Sequence, residues 1–210
     1  MRFTTSKKNW LRKSRLYLVL DAAVNDYDEL LRIGLQAAKA GVDLLQLRDK
    51  HGAADNIAEL ASKLMQRMSP RVPLIINDRV DIVLACGAEG VHLGQDDVSV
   101  ESARKILGRR AIIGRSCQTL AQARQAREDG ADYIGFGSVF KTQTKPQRAQ
   151  MDLKLLQRVV HEFDLPVFAI GGIDTDNIGR LRVLGVKKIA VTRAISRAKN
   201  IGEAVKILKH

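Results

Sequence analysis

The feature that most constrains this chain is a repeated alternation of short apolar runs with amphipathic segments, beginning near Leu16. Such alternation is typical of successive strand and helix units that build a parallel sheet. Between the runs, apolar residues recur at helical spacing, as Ile57, Leu60, Ala61 and Leu64 do. We predict eight strands, at 16–20, 44–47, 74–76, 90–93, 111–113, 133–137, 167–170 and 188–191. Eight such units close most simply into an α/β fold, the (β/α)8 TIM barrel, as a single compact domain.

An open, doubly wound sheet is the structural alternative. That fold usually has a glycine-rich G-x-G-x-x-G turn after its first strand. Here the first predicted strand runs into Leu20, Asp21, Ala22 and Ala23, without a glycine. The 210 residues and the 45% hydrophobic content fit one barrel with a substantial core. The sequence therefore favours the closed barrel.

The charge balance predicts an affinity for polyanions. Lysine and arginine total 35 against 23 acidic residues, a formal charge of +12. Nucleic acid, acidic membranes and phosphorylated metabolites all carry the complementary charge. Aromatic residues are only 4% of the chain and the basic residues are scattered, so we expect no nucleic acid partner and no membrane. A noncatalytic basic barrel that binds RNA or an acidic protein stays as an alternative from another class.

Residues 1–14 are predicted to be a basic, solvated amino-terminal extension, and 15–210 to be the barrel domain. Cys86 and Cys117 form no C-x-x-C pair, and no secretory leader precedes the first predicted strand. We therefore expect a reducing, cytoplasmic location. The sequence leaves the oligomeric state open, and a homo-oligomer is possible.

The carboxyl ends of the strands meet at one rim of such a barrel, so polar residues there are candidates for a site. Gln46, Arg48 and Lys50 follow the second strand and alternate toward the same side. The planar guanidinium and the mobile ammonium together suit a diphosphate. A surface charge cluster is the alternative interpretation.

Two carboxylates follow adjacent strands and are predicted to bind a cation. Asn77 and Asp78 end the third strand, and Asp96 and Asp97 follow the fourth. Magnesium is held by one or two carboxylates together with substrate phosphate and water, and we predict Asp78 and Asp97 as its ligands. The alternative is that Asp96 or Asp97 caps the next helix.

The remaining strand ends offer further groups for anions. Glycine backbone and hydroxyl groups recur there, and the polar loop 141–150 is a lid candidate. Loops after strands seven and eight commonly bind phosphate in these barrels, although a tight turn without ligand is the alternative for the glycine pair. His92 points toward the rim, where it contacts a pyrimidine edge or a phosphate, or is structural. The further candidates are Ser116, Thr142, Thr144, Lys145, Gly171, Gly172, Thr192 and Arg193.

Taken together, these strand ends resemble the thiamine-phosphate synthase family, which also includes related thiazole tautomerases. The similarity runs from Tyr17 to Ile195, with about one motif for each strand. The motifs are Q-L-R-D-K at 46–50, I-N-D-R-V-D at 76–81, G-V-H-L-G-Q-D-D at 90–97, G-R-S at 114–116, T-x-T-K at 142–145 and A-I-G-G-I at 169–173.

The resemblance implies a transferase that condenses 4-amino-2-methyl-5-hydroxymethylpyrimidine diphosphate with a thiazole phosphate and releases thiamine phosphate and pyrophosphate. It implies a dissociative reaction, in which the thiazole nitrogen attacks a methylene cation that the aminopyrimidine stabilises. Mg²⁺ is the implied cofactor, bound by Asp78 and Asp97. The two phosphorylated small molecules are the implied partners.

The resemblance also assigns a role to each of the remaining site residues. It implies that Gln46 seats the aminopyrimidine. It implies that the thiazole phosphate lies near Thr142, Thr144, Gly172 and the backbone of Thr192 and Arg193. It implies that the pyrophosphate is held by Arg48, Lys50, Asn77, Ser116 and Lys145. Of these, we take Arg48, Lys50, Ser116 and Lys145 as the catalytic residues.

Two related enzyme classes are the competing hypotheses. Thiazole tautomerases tend to lose the magnesium carboxylates and carry a histidine where this chain has Gln118, so the synthase is favoured. A sugar-phosphate isomerase or epimerase needs a facing acid and base, for which Asp21 and Asp49 are the candidates. Arg193 departs from the family, which often has serine there.

Overall fold

The computed structural model describes residues 7–141 and 150–210, and its strands close into one parallel barrel. Each strand pairs with the next in chain order, and the eighth pairs with the first. The strands are β1 Leu16–Asp21, β2 Leu44–Arg48, β3 Leu74–Asn77, β4 Gly90–Leu93, β5 Ile112–Cys117, β6 Tyr133–Phe136, β7 Val167–Ile170 and β8 Ile189–Val191. The predicted (β/α)8 barrel is confirmed.

Helices precede, connect and follow the strands. They are α1 Lys7–Lys13, α2 Tyr27–Ala40, α3 Ala54–Arg67, α4 Val80–Cys86, α5 Val100–Leu107, α6 Leu120–Glu128, α7 Leu153–Glu162, α8 Ile178–Val183, α9 Arg193–Ser196 and α10 Ile201–Lys209. Helices α2 to α8 connect consecutive strands, α1 precedes β1, and α9 and α10 follow β8. Within the described ranges, no helix combines the length and the apolar character needed to cross a bilayer.

Strand β5 is longer than the sequence predicts. The apolar run predicts 111–113, whereas the strand begins at Ile112 and continues to Cys117. The extra residues pair with β6, since Arg115 aligns with Ile134 and Cys117 with Phe136. Backbone pairing extends the strand through polar residues that carry no apolar signal, and Ser116 consequently lies on the strand itself.

Two apolar layers hold the barrel together. Outward-facing strand residues such as Leu18, Leu45 and Ile113 pack with helix residues such as Leu30 and Leu64, and all five are fully buried. The inward-facing cluster fills one end of the barrel interior. It comprises Leu11, Tyr17, Leu44, Ile75, Ile112, Tyr133, Phe168 and Ala190.

Helix α1 closes this apolar end of the barrel, in contrast to the solvated segment expected for its residues. Leu11 is 0% exposed, and Trp10 packs against the same inner cluster. The Lys188 ammonium donates to the carbonyls of Leu11 and Ser14, at 3.1 and 2.6 Å, so carbonyls at the end of the helix are satisfied. Lys7 forms an ion pair with Asp132 at 2.8 Å. The basic segment therefore contributes to the core.

We predict that Leu11→Ala destabilises the barrel. Removing a fully buried leucine costs about 2 to 5 kcal/mol of the free energy of unfolding, measured by urea denaturation. Leu84→Ala is the control, because Leu84 is 60% exposed and its loss is expected to change stability by less than about 0.5 kcal/mol. Equal unfolding midpoints for the two variants would contradict the packing of α1.

Candidate active site

A cavity of about 290 Å³ opens at the carboxyl ends of the strands. Inward-facing residues of this half of the barrel are largely polar, in contrast to the apolar cluster at the other end. Nine of the predicted site residues line the cavity: Gln46, Arg48, Asn77, His92, Ser116, Gly171, Gly172, Thr192 and Arg193. Closure of the sheet therefore brings together segments that are far apart in sequence.

The two predicted metal ligands lie beside each other, next to Lys50. The carboxyl groups of Asp78 and Asp97 lie close enough to shift each other's pKa, and the Lys50 ammonium lies 3.2 Å from Asp78 Oδ2. Burial and the neighbouring Asp97 carboxylate raise the pKa of Asp78, and Lys50 opposes that rise. Burial also raises the pKa of Asp97, but hydrogen bonds from Asp78 and the Gly94 amide outweigh it, and the net pKa lies below its ordinary value. Two adjacent carboxyl groups with opposite shifts favour one shared proton or one bound cation.

The backbone at Asp78 is held in an unusual conformation. Its φ is 62°, in the left-handed region, and no other non-glycine residue in the described ranges has a positive φ. The Asp78 amide donates to the His92 carbonyl at 2.9 Å, which fixes this turn to the adjacent strand. Strained residues of this kind cluster at functional sites, since the surrounding structure must hold them in place.

The alternative role considered for Asp96 and Asp97, capping of the following helix, is wrong. Ser99 caps α5, and its hydroxyl accepts from the Ser102 amide at 3.0 Å. Asp97 instead accepts from the Gly94 amide at 2.6 Å, which folds its carboxylate back toward the rim. Asp96 is exposed.

Two buried donors at the cavity have no hydrogen-bond partner among the described residues. They are Nδ2 of Asn77 and Nε of Arg193. A buried donor without a partner costs about 1 to 3 kcal/mol, so such groups are rare unless a ligand satisfies them. Both residues line the cavity, and both donors suit an anionic oxygen.

Asp21 orients Arg48. Both Asp21 oxygens accept from the Arg48 Nη1, at 2.9 and 2.8 Å, and the carboxylate is buried. The pair holds the guanidinium at the cavity with its other nitrogens available. The sequence analysis considered Asp21 only as a candidate acid of the competing isomerase hypothesis. Asp21 nevertheless stands at the end of a strand, as the predicted site residues do. Its position after the apolar run of β1 is the signal that would have identified it.

The facing acid and base needed by a sugar-phosphate isomerase are not formed by Asp21 and Asp49. Asp21 is paired with Arg48. Asp49 is absent from the residues that line the cavity and accepts from the Tyr27 hydroxyl at 2.8 Å. Burial alone would raise the pKa of Asp49, but this bond and those from the His51 and Gly52 amides lower it overall. Asp49 is therefore held as a carboxylate that is already satisfied.

The glycine pair after β7 forms a tight wall of the cavity. Gly171 and Gly172 have φ values of 110° and 63°, and a Cβ on Gly172 would lie 2.3 Å from the Lys141 carbonyl oxygen. The Asn177 side chain donates to the Gly172 carbonyl at 2.8 Å and fixes the turn. Only glycine fits here without displacing backbone, and backbone amides can therefore approach a ligand closely.

Thr142, Thr144 and Lys145 lie outside the described residues. Lys141, the last described residue before them, lines the cavity. Their predicted roles at the thiazole phosphate and the pyrophosphate therefore stay predictions.

The fold and this cavity define a (β/α)8 barrel whose candidate site lies at the carboxyl ends of its strands. Residues 16–195 match the family model described as thiamine monophosphate synthase, so the match covers most of the chain. The chain belongs to this family.

Individual relatives agree with the family match. The chain is 41% identical over 193 residues to a thiamine-phosphate synthase of Gloeobacter violaceus, covering 91% of this chain and 55% of that relative, so it spans about half of that protein's length. It is 40% identical to a thiamine-phosphate synthase of Alkaliphilus oremlandii, covering 92% and 93% of the two chains. A thiamine phosphate pyrophosphorylase structure from Pyrococcus furiosus superposes with a TM-score of 0.83 at 32% identity, covering 97% and 96%.

We predict that Gly172→Ala disrupts the cavity wall. The left-handed backbone costs a non-glycine residue about 1 to 2 kcal/mol, and the clash with the Lys141 carbonyl adds to this. Thermal unfolding should shift downward, and affinity for inorganic phosphate should fall. Gly179→Ala is the matched control, since a Cβ at Gly179 meets nothing within 4 Å. If both alanine variants bind phosphate like the unmodified chain, the proposed role of this wall is wrong.

Proposed function

We propose that this chain condenses 4-amino-2-methyl-5-hydroxymethylpyrimidine diphosphate with a thiazole phosphate, giving thiamine phosphate and pyrophosphate. The observation that carries the proposal is a cluster of polar side chains at the rim. Asp78 contacts both Asp97 and Lys50 there, and the neighbouring Asn77 has a side-chain Nδ2 with no hydrogen-bond partner among the described residues. Membership of the family and the relatives' names support thiamine phosphate as the product, and the two substrates are those that the resemblance in the strand-end motifs implies. The free thiols Cys86 and Cys117 support a reducing compartment such as the cytoplasm.

The diphosphate is held by residues from four different segments. Arg48, oriented by Asp21, offers its remaining guanidinium donors, and Lys50 offers a mobile charge. Asn77 donates its unpaired Nδ2, and Ser116 donates its hydroxyl. We assign the fifth contact to Lys145, by the family's motif.

The carboxylate pair fits Mg²⁺. The carboxyl groups of Asp78 and Asp97 lie close enough to shift each other's pKa, and a divalent cation takes the place of a shared proton between two such groups. Within the described residues no cluster of three or more metal-ligating side chains occurs, and Mg²⁺ bound to a diphosphate needs only one or two carboxylates with phosphate and water. When bound, Mg²⁺ supplies charge neutralisation for the diphosphate.

The remaining residues orient the two rings and the second phosphate. We assign the pyrimidine to Gln46, which lines the interior of the cavity with His92. The thiazole phosphate is assigned to the Gly172 turn and the backbone of Thr192 and Arg193, and the unpaired Arg193 Nε adds a side-chain donor. Thr142 and Thr144 complete this end of the site by the family's motif.

The reaction we propose is dissociative. The carbon–oxygen bond to the diphosphate breaks, and pyrophosphate leaves with the electron pair. The electron-rich aminopyrimidine stabilises the methylene cation, and the thiazole nitrogen then forms the new bond to that carbon. No protein nucleophile is required, so the side chains accelerate the reaction by neutralising the leaving group and by aligning the substrates.

The assay that tests this function combines both phosphorylated precursors with Mg²⁺ and measures thiamine phosphate and pyrophosphate. Asp78→Asn should lower kcat by at least about 100-fold, because removing one electrostatic group from such a site typically costs this much. Asp81→Asn is the matched control, since Asp81 is exposed and pairs only with Arg79 among the described side chains. Unchanged turnover in folded Asp78→Asn would refute the assignment.

Arg193→Ser tests the second phosphate position. Loss of a charge-assisted hydrogen bond is worth about 1.5 to 3 kcal/mol, so we expect KM for the thiazole phosphate to rise by at least about 10-fold while kcat changes little. Lys199→Ala, an exposed basic residue after α9, is the control for lost surface charge. If KM is unaltered in Arg193→Ser, the Arg193 side chain does not bind the thiazole phosphate, and only backbone groups bind it at this position.

A further inference from the structure

Five polar side chains form a continuous hydrogen-bonded chain across the inside of the barrel. Gln46 Nε2 lies 2.5 Å from the Tyr17 hydroxyl, which lies 2.8 Å from the Tyr133 hydroxyl. Tyr133 lies 3.0 Å from His92 Nδ1, and His92 Nε2 lies 2.9 Å from Ser116 Oγ. The five come from β1, β2, β4, β5 and β6, and we call them the interior chain.

The interior chain is shielded from bulk water. Tyr133 is 0% exposed and Tyr17 2%, so their hydroxyl protons must go to neighbouring side chains. Burial raises the pKa of both tyrosines, opposed at Tyr17 by its hydrogen bonds, so both hydroxyls keep their protons at neutral pH. Gly114 gives the Tyr133 ring its space, since a Cβ there would lie 2.2 Å from the ring.

With His92 neutral, the chain of hydrogen bonds is unbroken in only two directions. If Gln46 donates to Tyr17, then Tyr17 donates to Tyr133, Tyr133 donates to His92 Nδ1, and the His92 Nε2–H donates to Ser116. The reverse sense inverts every donor and acceptor, and it also inverts the Gln46 amide. A mixed arrangement either leaves a buried tyrosine proton without an acceptor or leaves the two tyrosine oxygens 2.8 Å apart with no proton between them, and both are costly.

The two senses present opposite groups to the cavity at both ends. In the first sense Ser116 keeps a free O–H to donate, and Gln46 presents its carbonyl oxygen as an acceptor. In the reverse sense Ser116 uses its proton on His92, and Gln46 presents its amide hydrogens. Only the first sense offers a donor to an anion beside Ser116.

We propose that Tyr17, Tyr133 and His92 are positioning residues that couple the anion end of the cavity to the ring end, so that Gln46 selects a ring bearing an amine over a ring bearing a carbonyl. The proposal rests on the proposed function, because that function puts a diphosphate at Ser116 and a pyrimidine at Gln46. The selectivity then follows from which groups of the interior chain donate and which accept, and it needs no added contact to the ligand.

The first test is the tautomer of His92, read by nitrogen-15 NMR on the full chain with Mg²⁺ and inorganic pyrophosphate. We expect neutral imidazole with its proton on Nε2. A proton on Nδ1 would mean the reverse sense and would overturn the proposal. This measurement needs no turnover, so it is separate from the thiamine phosphate assay.

The second test compares binding of the aminopyrimidine diphosphate with that of its analogue carrying a ring carbonyl in place of the amine, without thiazole phosphate. The unmodified chain should prefer the amine by at least about 10-fold, since a mismatched buried polar contact costs this much. Tyr133→Phe interrupts the interior chain and frees Gln46 to rotate, so the preference should fall toward unity.

Tyr27→Phe is the matched control. It removes one tyrosine hydroxyl that bonds Asp49 outside the interior chain, so the preference for the amine should persist. If Tyr133→Phe does not fold, Tyr17→Phe carries the same prediction. A folded variant of either tyrosine that keeps the full preference would overturn the coupling.

The two proposals fail in different ways. A chain that makes no thiamine phosphate yet prefers the amine would contradict the proposed function alone. A chain that makes thiamine phosphate without preferring the amine would contradict the coupling alone.

Discussion

Closure of eight parallel strands is the constraint on which the rest of this structure depends. A parallel barrel has two unlike ends, and every strand enters at the same one. At the entry end the interior is apolar and is closed by Leu11 of α1. At the exit end the same inward-facing positions carry polar groups, and the residues just beyond them form the rim. The barrel therefore separates the part that stabilises it from the part that carries the candidate site.

The exit end is arranged around charge that the protein does not fully satisfy by itself. Asp78 and Asp97 lie in contact although both are acids, while Asn77 and Arg193 keep buried donors without partners in the described residues. Asp21 holds Arg48 at the cavity, and Asp78 pairs with Lys50 at the rim. A diphosphate with a divalent cation is complementary to this arrangement, because it brings both the negative oxygens and the positive ion that these groups lack.

Much of the fold was predictable from the sequence, because alternation of strand and helix signals is local. Candidate site residues were predictable for the same reason, since each follows an apolar run. Contacts between distant segments were not. The solvated segment expected before residue 15 is in part helix α1, because Leu11 finds an apolar barrel end that the local basic composition does not reveal. Tyr17 and Tyr133 were likewise missed, since their alignment across the barrel exists only after closure.

The proposed function requires one rim to hold a magnesium diphosphate between the acidic pair and the basic residues. The decisive measurement is a crystal structure of the chain with Mg²⁺ and pyrophosphate. We expect Mg²⁺ within about 2.1 Å of carboxylate oxygens from Asp78 or Asp97, and pyrophosphate oxygens in hydrogen-bond contact with Arg48 and Asn77. Pyrophosphate bound elsewhere, with neither carboxylate near the metal, would refute the proposed site.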